Sequence, residues 1–321
     1  MIQEFAVEGI MNCTMHIVFI NDRGEIEKGR GSGVTREALS IFWREFFNSL
    51  AVGAAEKVPS IRHDYQKKEW QSVAHVLVFG FIQEKYFPIQ LSRAFVASCL
   101  FGEEMIPTKW LMDSFYDYIS RDECETLKNS VSGECDPCTD EDVFEVLSCY
   151  KCYRRVTKEN ITKIIEELAH QELIQRPRYI SNAWSPILAK LKMYREFENM
   201  DCLIQLYEMK KPSPKKVSKL FSATPANDNQ KECLDHLKRF VKSLDDNTLG
   251  VFLQFVTGSN YLTVDSIKVD FSKEEGAARR PIAHTCGCLL IIPETYQGYN
   301  ELSEEFSSVL RQSASWEFTI V

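Results

Sequence analysis

The sequence predicts a mixed α+β chain, with a larger and mostly helical first part and a small α/β unit at its end. Three observations predict it. Apolar stripes at helical spacing recur between residues 35 and 211. A lysine- and proline-rich break, "KKPSPKKVSKLFSATPANDNQ" (210–230), carries little to bury and marks a linker over 221–230. Beyond it, from 231 to 321, strands and helices alternate over short distances.

The elements follow in order. "MHIVFIND" (15–22) is rich in β-branched and aromatic residues and ends in a turn signal, which predicts a strand. The glycines at 29, 31 and 33 lack the spacing of a dinucleotide fingerprint, and no lysine-Ser/Thr pair follows, so they read as a turn. Thr35 is then placed as the N-cap of a helix whose buried stripe is Leu39, Phe42, Trp43, Phe46, Phe47 and Leu50. Residues 72–100 are strongly apolar, and "DSFYDYISRDECETLKNSV" (113–131) reads as a short acidic helix and a loop. A further helix is capped near Thr157, buries Ile161, Ile164, Ile165 and Leu168, and ends at Pro177. A looser helical stretch runs to about residue 211. In the final unit, "KECLDHLKRFVKSL" turns Leu234, Leu237, Phe240, Val241 and Leu244 inward, and "LGVFLQFVTGS" stops at a Gly-Ser turn. "SIKVDF" alternates as a half-exposed strand, "CLLIIP" reads as a fully buried one, "YNELSEEFSSVLRQ" as a helix and "SWEFTIV" as a closing strand.

Composition narrows the class. The 321 residues are 44% hydrophobic and 26% charged, an ordinary globular balance, and a net charge of -8 advertises neither nucleic acid nor anionic lipid. The best apolar run, "VLVFGFI" (76–82), is far too short to span a bilayer. The opening "MIQEFAVEGIMNC" has acids where a secretory leader carries bases. Eleven unevenly spaced cysteines argue against a secreted disulfide framework and for a reducing compartment, cytosol or nucleus.

Two clusters carry chemistry. "CDPCTDEDVFEVLSCYKC" (135–152) has two C-x2-C pairs, a spacing that can close a tetrahedral zinc site. The stretch also reads as helix, with Val143, Val146, Leu147 and Tyr150 on one stripe, and on that reading its cysteines are plain core and surface residues; we expect no metal. "AHTCGCLL" (283–290) sets His284 two residues before Cys286. Cys286 is either a small core residue or a reactive thiol. In an extended chain His284 and Cys286 point alike, so His284 either favours the thiolate or hydrogen-bonds the loop. Cys288 is placed at the start of the buried strand, as core.

Taken together, these stretches resemble HECT-type ubiquitin ligases. "GSGVTREALSIFWREFF" is similar to the start of that domain, "FVTGS" (255–259) to its Phe-Val-Thr-Gly segment, and "AHTCGCLLIIPETYQGYNELSEEF" to its active-site stretch. Phe318 stands fourth from the end, where these ligases carry a functional phenylalanine. Gly287 and Cys288 stand where the family usually has an aromatic and an asparagine, and Ile291 where it often has an acid.

The resemblance implies a bilobal fold. Residues 1–220 form an amino-terminal lobe, shortened at its front, on the conjugating-enzyme side; 221–230 form a hinge, and 231–321 a catalytic lobe. It implies a ubiquitin thioester on Cys286, with His284, Thr285 and Phe318 in the same site, and transfer to substrate lysines. Its partners are ubiquitin, a ubiquitin-conjugating enzyme and protein substrates, with no nucleic acid, no membrane and no cofactor, because the thioester arrives activated. Two other readings stay open: a catalytically impaired interaction module with the same fold, and a thiol hydrolase pairing Cys286 with a remote His75 or His170.

Overall fold

The computed structural model describes residues 1–7, 9–13, 15–20, 24–26, 31–276 and 279–311. The first half holds α1 (Ile2–Phe5), α2 (Ser32–Ser49), β1 (Ala51–Val52), β2 (Val58–Pro59), α3 (Lys67–Glu84), α4 (Arg93–Phe101), α5 (Thr108–Tyr118), α6 (Arg121–Ser132) and α7 (Glu141–Cys149). Then come α8 (Ile161–His170), α9 (Arg178–Leu188), α10 (Met200–Lys210), α11 (Pro214–Leu220), β3 (Phe221–Ser222), α12 (Asp228–Ser243) and α13 (Asp246–Thr257). The chain closes its described part with β4 (Ile267–Ser272), β5 (Ile282–His284), β6 (Leu289–Pro293) and α14 (Tyr299–Arg311). The fold is a helix-rich α+β fold with a small mixed sheet, as the sequence predicts.

The chain divides into two compact units. The first comprises Met1–Glu8, Arg44–Val78 and Pro88–Leu206. It is helical apart from the antiparallel β1–β2 pair, and Trp70, Phe95, Phe115 and Trp184 lie fully buried in it. The stripe Ile161, Ile164, Ile165 and Leu168 is buried as expected. Asn160 stands at the N-cap of α8, its side-chain oxygen accepting from Thr157 N–H. The acidic stretch 113–131 is two helices rather than a helix and a loop: Ser120 and Glu123 form a capping box that starts α6 with only Ile119 and Ser120 between it and the end of α5. The cysteines of the double C-x2-C differ in setting. Cys138 and Cys149 are exposed, Cys135 and Cys152 half-buried, while Val143, Val146 and Leu147 take the buried face of α7.

The second unit comprises Gly9–Trp43, Phe79–Phe87 and Tyr207–Val321. Its sheet runs in the order β3-β4-β6-β5, with β3–β4 and β4–β6 parallel and β5–β6 antiparallel. α12, α13 and α14 bury Leu237, Phe240, Phe252, Leu302 and Phe306 with Val269, Leu290 and Ile292 of the sheet. β6 is not buried on both faces: Leu290 and Ile292 are in the core while Leu289 and Ile291 are half-exposed, the period-two pattern of a sheet with one covered face.

The predicted strand at 15–22 is not formed over 15–20, where Ile20 makes one isolated bridge to Ile26 and Val18 and Ile20 are exposed. A β-prone run without a sheet edge to join gains little from its propensity. Of the predicted linker, Phe221 and Ser222 pair with β4, residues 223–226 have no regular structure, and Asn227 caps α12. The closing strand "SWEFTIV" and Phe318 lie outside the described residues.

Candidate active site

The site is built around the hairpin β5–β6, whose register pairs Ile282 with Ile291, Ala283 with Leu290 and His284 with Leu289. That pairing leaves Thr285–Cys288 as the connecting loop. Thr285–Gly287 make one 3-10 turn, and Cys288 closes it in the left-handed region at φ 46, its N–H donating to the Thr285 carbonyl at 3.3 Å. His284 and Cys286 therefore do not share a face of an extended strand. Cys288 is not the first strand residue either; a hairpin loop of this length needs its last residue for the turn.

Exposure separates the four loop residues. Cys286 is exposed, Cys288 is half-buried and Thr285 is 9% exposed. Burial pushes the Cys288 thiol above its usual range, and the Arg36 guanidinium partly offsets this. His284 is half-buried at the end of β5.

What holds the loop comes from the far end of the sequence. α2 begins at Ser32, three residues before the predicted cap, and Thr35 N–H already donates to the Gly31 carbonyl within its first turn. Gly33 in that turn meets the loop directly: a Cβ there would stand 2.5 Å from Cys286 N and 2.5 Å from Thr285 Oγ1. Only glycine permits so close a backbone approach. One turn on, Arg36 is 5% exposed and spreads its guanidinium over three backbone and side-chain partners. Nε donates to the Thr257 carbonyl at 2.6 Å, Nη1 to Glu84 at 3.0 Å and Nη2 to the Thr285 carbonyl at 2.7 Å. Nη2 also lies 3.4 Å from Cys288 Sγ. Burial pushes the Glu84 carboxyl up, and the Arg36 charge partly offsets that shift.

The same helix locks onto the end of α13. Gly258 caps α13 at φ 78, and a Cβ there would stand 2.5 Å from the Gly33 carbonyl oxygen. Ser40 donates to the Gly258 carbonyl at 3.0 Å, and Gln254 to Glu37 at 2.6 Å. Thus "GSGVTRE", "FVTGS" and "AHTC", widely separated in the chain, meet at one place. Sequence reading found the three stretches but missed Arg36, Glu37 and Glu84 as the groups that join the site. The available signal was an arginine on the apolar side of α2, three residues before Leu39.

Chemically, the arrangement offers an exposed thiol on a short loop whose neighbouring carbonyl is fixed by a buried cation. Thiol transfer to and from large partners needs that accessibility rather than a deep pocket. Among the described residues no three His, Cys, Asp or Glu side chains gather as a metal site would require, and no helix is long and apolar enough to cross a membrane. His75, a half-buried residue whose Nδ1 lies 3.4 Å from the Phe5 carbonyl, and His170, beside Glu103, both belong to the first unit.

Comparison with curated proteins finds no match to this chain. The profile of the HECT-domain (ubiquitin-transferase) family matches residues 151–319, a span that holds the Phe-Val-Thr-Gly segment, the whole β5–β6 hairpin and Cys286. Because that span is more than half of the 321 residues and ends beyond the thiol loop, the chain belongs to the HECT-domain family of ubiquitin transferases.

Proposed function

We propose that the chain is a HECT-type ubiquitin-protein ligase that carries ubiquitin as a thioester on Cys286. The observation that supports this best is the exposed Cys286 on a loop whose preceding carbonyl is held by buried Arg36. In the first step the Cys286 thiolate attacks the thioester carbonyl of ubiquitin on a conjugating enzyme, and that enzyme's thiolate leaves. In the second, a substrate lysine amine attacks the new thioester, the isopeptide bond forms and the Cys286 thiolate leaves. No cofactor or metal takes part, since the bond arrives activated.

Thr285 and His284 hold and polarise the loop, and Phe318 positions the loaded thioester for the amine. Residues 1–220 receive the conjugating enzyme and 231–321 carry the thiol, turning on 221–230. The partners are ubiquitin, a conjugating enzyme and protein substrates in the cytosol or nucleus, without nucleic acid or membrane.

Incubation with activating enzyme, a panel of conjugating enzymes and ubiquitin tests the proposal. A ligase gives a thiol-reducible adduct, then chains, and Cys286→Ala gives neither. Phe318→Ala should keep the adduct and slow its discharge to lysine. A second reading, an interaction module that has lost transfer, is favoured by Gly287 and Cys288 in place of the family's aromatic and asparagine; it gives no adduct with any conjugating enzyme.

A further inference from the structure

The second thiol of the loop has no part in the transfer above, and its setting gives it one of its own. Cys286 and Cys288 flank Gly287 in a single tight turn. Residues two apart in such a turn have Cα atoms roughly 5–6 Å apart, inside the range of about 4.4–6.8 Å that a disulfide spans. A Cβ on Gly287 would meet nothing within 4 Å, so the apex has room to re-form. Cys288 Sγ lies 3.4 Å from Arg36 Nη2 and 3.7 Å from the Thr285 carbonyl, so a cation stands ready for a thiolate there.

We propose that Cys286 and Cys288 form a reversible disulfide when the exposed thiol meets hydrogen peroxide, making this loop an oxidation site. The Cys286 thiolate attacks the peroxide; an S–O bond forms, the O–O bond breaks, and hydroxide leaves and is protonated to water. The Cys288 thiol, 3.4 Å from the Arg36 guanidinium that favours loss of its proton, then attacks the sulfenic sulfur; the S–S bond forms, the S–O bond breaks, and the departing hydroxide takes up the thiol proton and leaves as a second water. The two sulfurs give up two electrons and the peroxide accepts them. A small-molecule thiol reverses the reaction by exchange, ending as its own disulfide. A ring closed over one intervening residue is strained and lies on the surface, which makes it the labile kind of disulfide. Resting on the ligase reading, the consequence is that the sulfur needed for ubiquitin is withheld until a reductant returns it.

The test uses the full chain, reduced, desalted, titrated with hydrogen peroxide, then alkylated and digested with trypsin. The peptide following Arg279 carries only these two cysteines as far as Arg311. It should lose both alkyl groups and two hydrogens while exposed Cys13, Cys138 and Cys149 remain alkylated, and dithiothreitol before alkylation should restore it. In Cys288→Ser, peroxide should instead leave a sulfenic acid on Cys286 that dimedone traps. Oxidised parent should load ubiquitin at least about tenfold less than reduced parent, because the disulfide removes the thiolate. Cys286 oxidised in the parent with Cys288 still alkylated, or both thiols intact at a dose that oxidises Cys13, overturns the proposal. The peptide masses read the disulfide whether or not the chain loads ubiquitin, so failure of the ligase reading is seen separately.

Discussion

Arg36 decides more of the site than any other single residue. Its partners, Thr257 and Thr285, lie 221 and 249 positions away, so no local pattern could have named them. The sequence does show an arginine inside an apolar helix start, but only the fold shows that its guanidinium is buried with Glu84. Removing one member of a buried pair leaves the other charge and two carbonyls unmet, which typically costs about 3–5 kcal/mol. Arg36→Met should therefore lower the denaturant midpoint by a large part of the domain's stability. Arg36→Lys should recover little, because a point ammonium cannot serve three acceptors that the planar fork reaches together; a midpoint near that of the parent would remove Arg36 from this role. Cys288 gives a second check at this scale. Burial raises its thiol pKa, so at a given pH it holds less thiolate than an unperturbed cysteine. Its alkylation by iodoacetamide should lag that of exposed Cys286 near neutrality and climb steeply only as the solution becomes alkaline. Peptide mapping across a pH series reads both thiols at once, and faster labelling of Cys288 at neutral pH would contradict its half-buried setting.

At the scale of elements, legibility followed the source of each element's stability. α12 and α14 bury their own apolar stripes, and the sequence predicted both as helices, whereas "LGVFLQFVTGS" was given only its terminating turn and lies in helix α13. The predicted strand is not formed over 15–20, because a strand depends on a neighbour that the sequence does not announce. The hairpin β5–β6 was half legible: β6 was predicted as a strand, but no strand was predicted at Ile282–His284, and the turn that holds Cys286 and Cys288 was read as extended chain. The first turn of α2 was misplaced because glycines were taken as flexible turn residues. Gly33 is instead there for contact. Alanine in place of glycine inside a helix ordinarily stabilises by about 1 kcal/mol. At Gly33 the new methyl would stand 2.5 Å from Cys286 N, so backbone must move and the sign reverses. Gly33→Ala should melt below the parent and change the alkylation rate of Cys286. Gly287→Ala, with open space around its Cβ, should melt close to the parent. A Gly33→Ala variant that is more stable than the parent would show that helix and loop are not in contact.

For the molecule as a whole, the sequence placed a boundary where composition turns polar, and the compact units draw on more distant segments. The second unit takes in Gly9–Trp43 and Phe79–Phe87 as well as the chain from Tyr207 onward. Composition can mark a stretch with little to bury, but it cannot show that Ser40 donates to Gly258 or that Arg36 reaches Thr285. Residues 223–226 are the part of the proposed hinge without regular structure, and Thr224 is exposed, so a protease should cut there first. The cut should not release the carboxy-terminal fragment. Val217, Leu220 and Phe221 on one side of it pack into the same core as Leu237 and Phe252 on the other, and the Arg36 bonds cross it as well. The nicked chain should therefore elute at the size of the intact one and come apart only in denaturant, whereas nicked Arg36→Met should dissociate at lower denaturant. Immediate separation of the parent's fragments would mean that the contacts around Gly33, Arg36 and Gly258 do not hold the unit together. If they do hold it, turning about 221–230 during transfer has to break them, and Thr224→Pro, which stiffens the stretch ahead of Pro225, should slow discharge to lysine while leaving the melting temperature close to that of the parent.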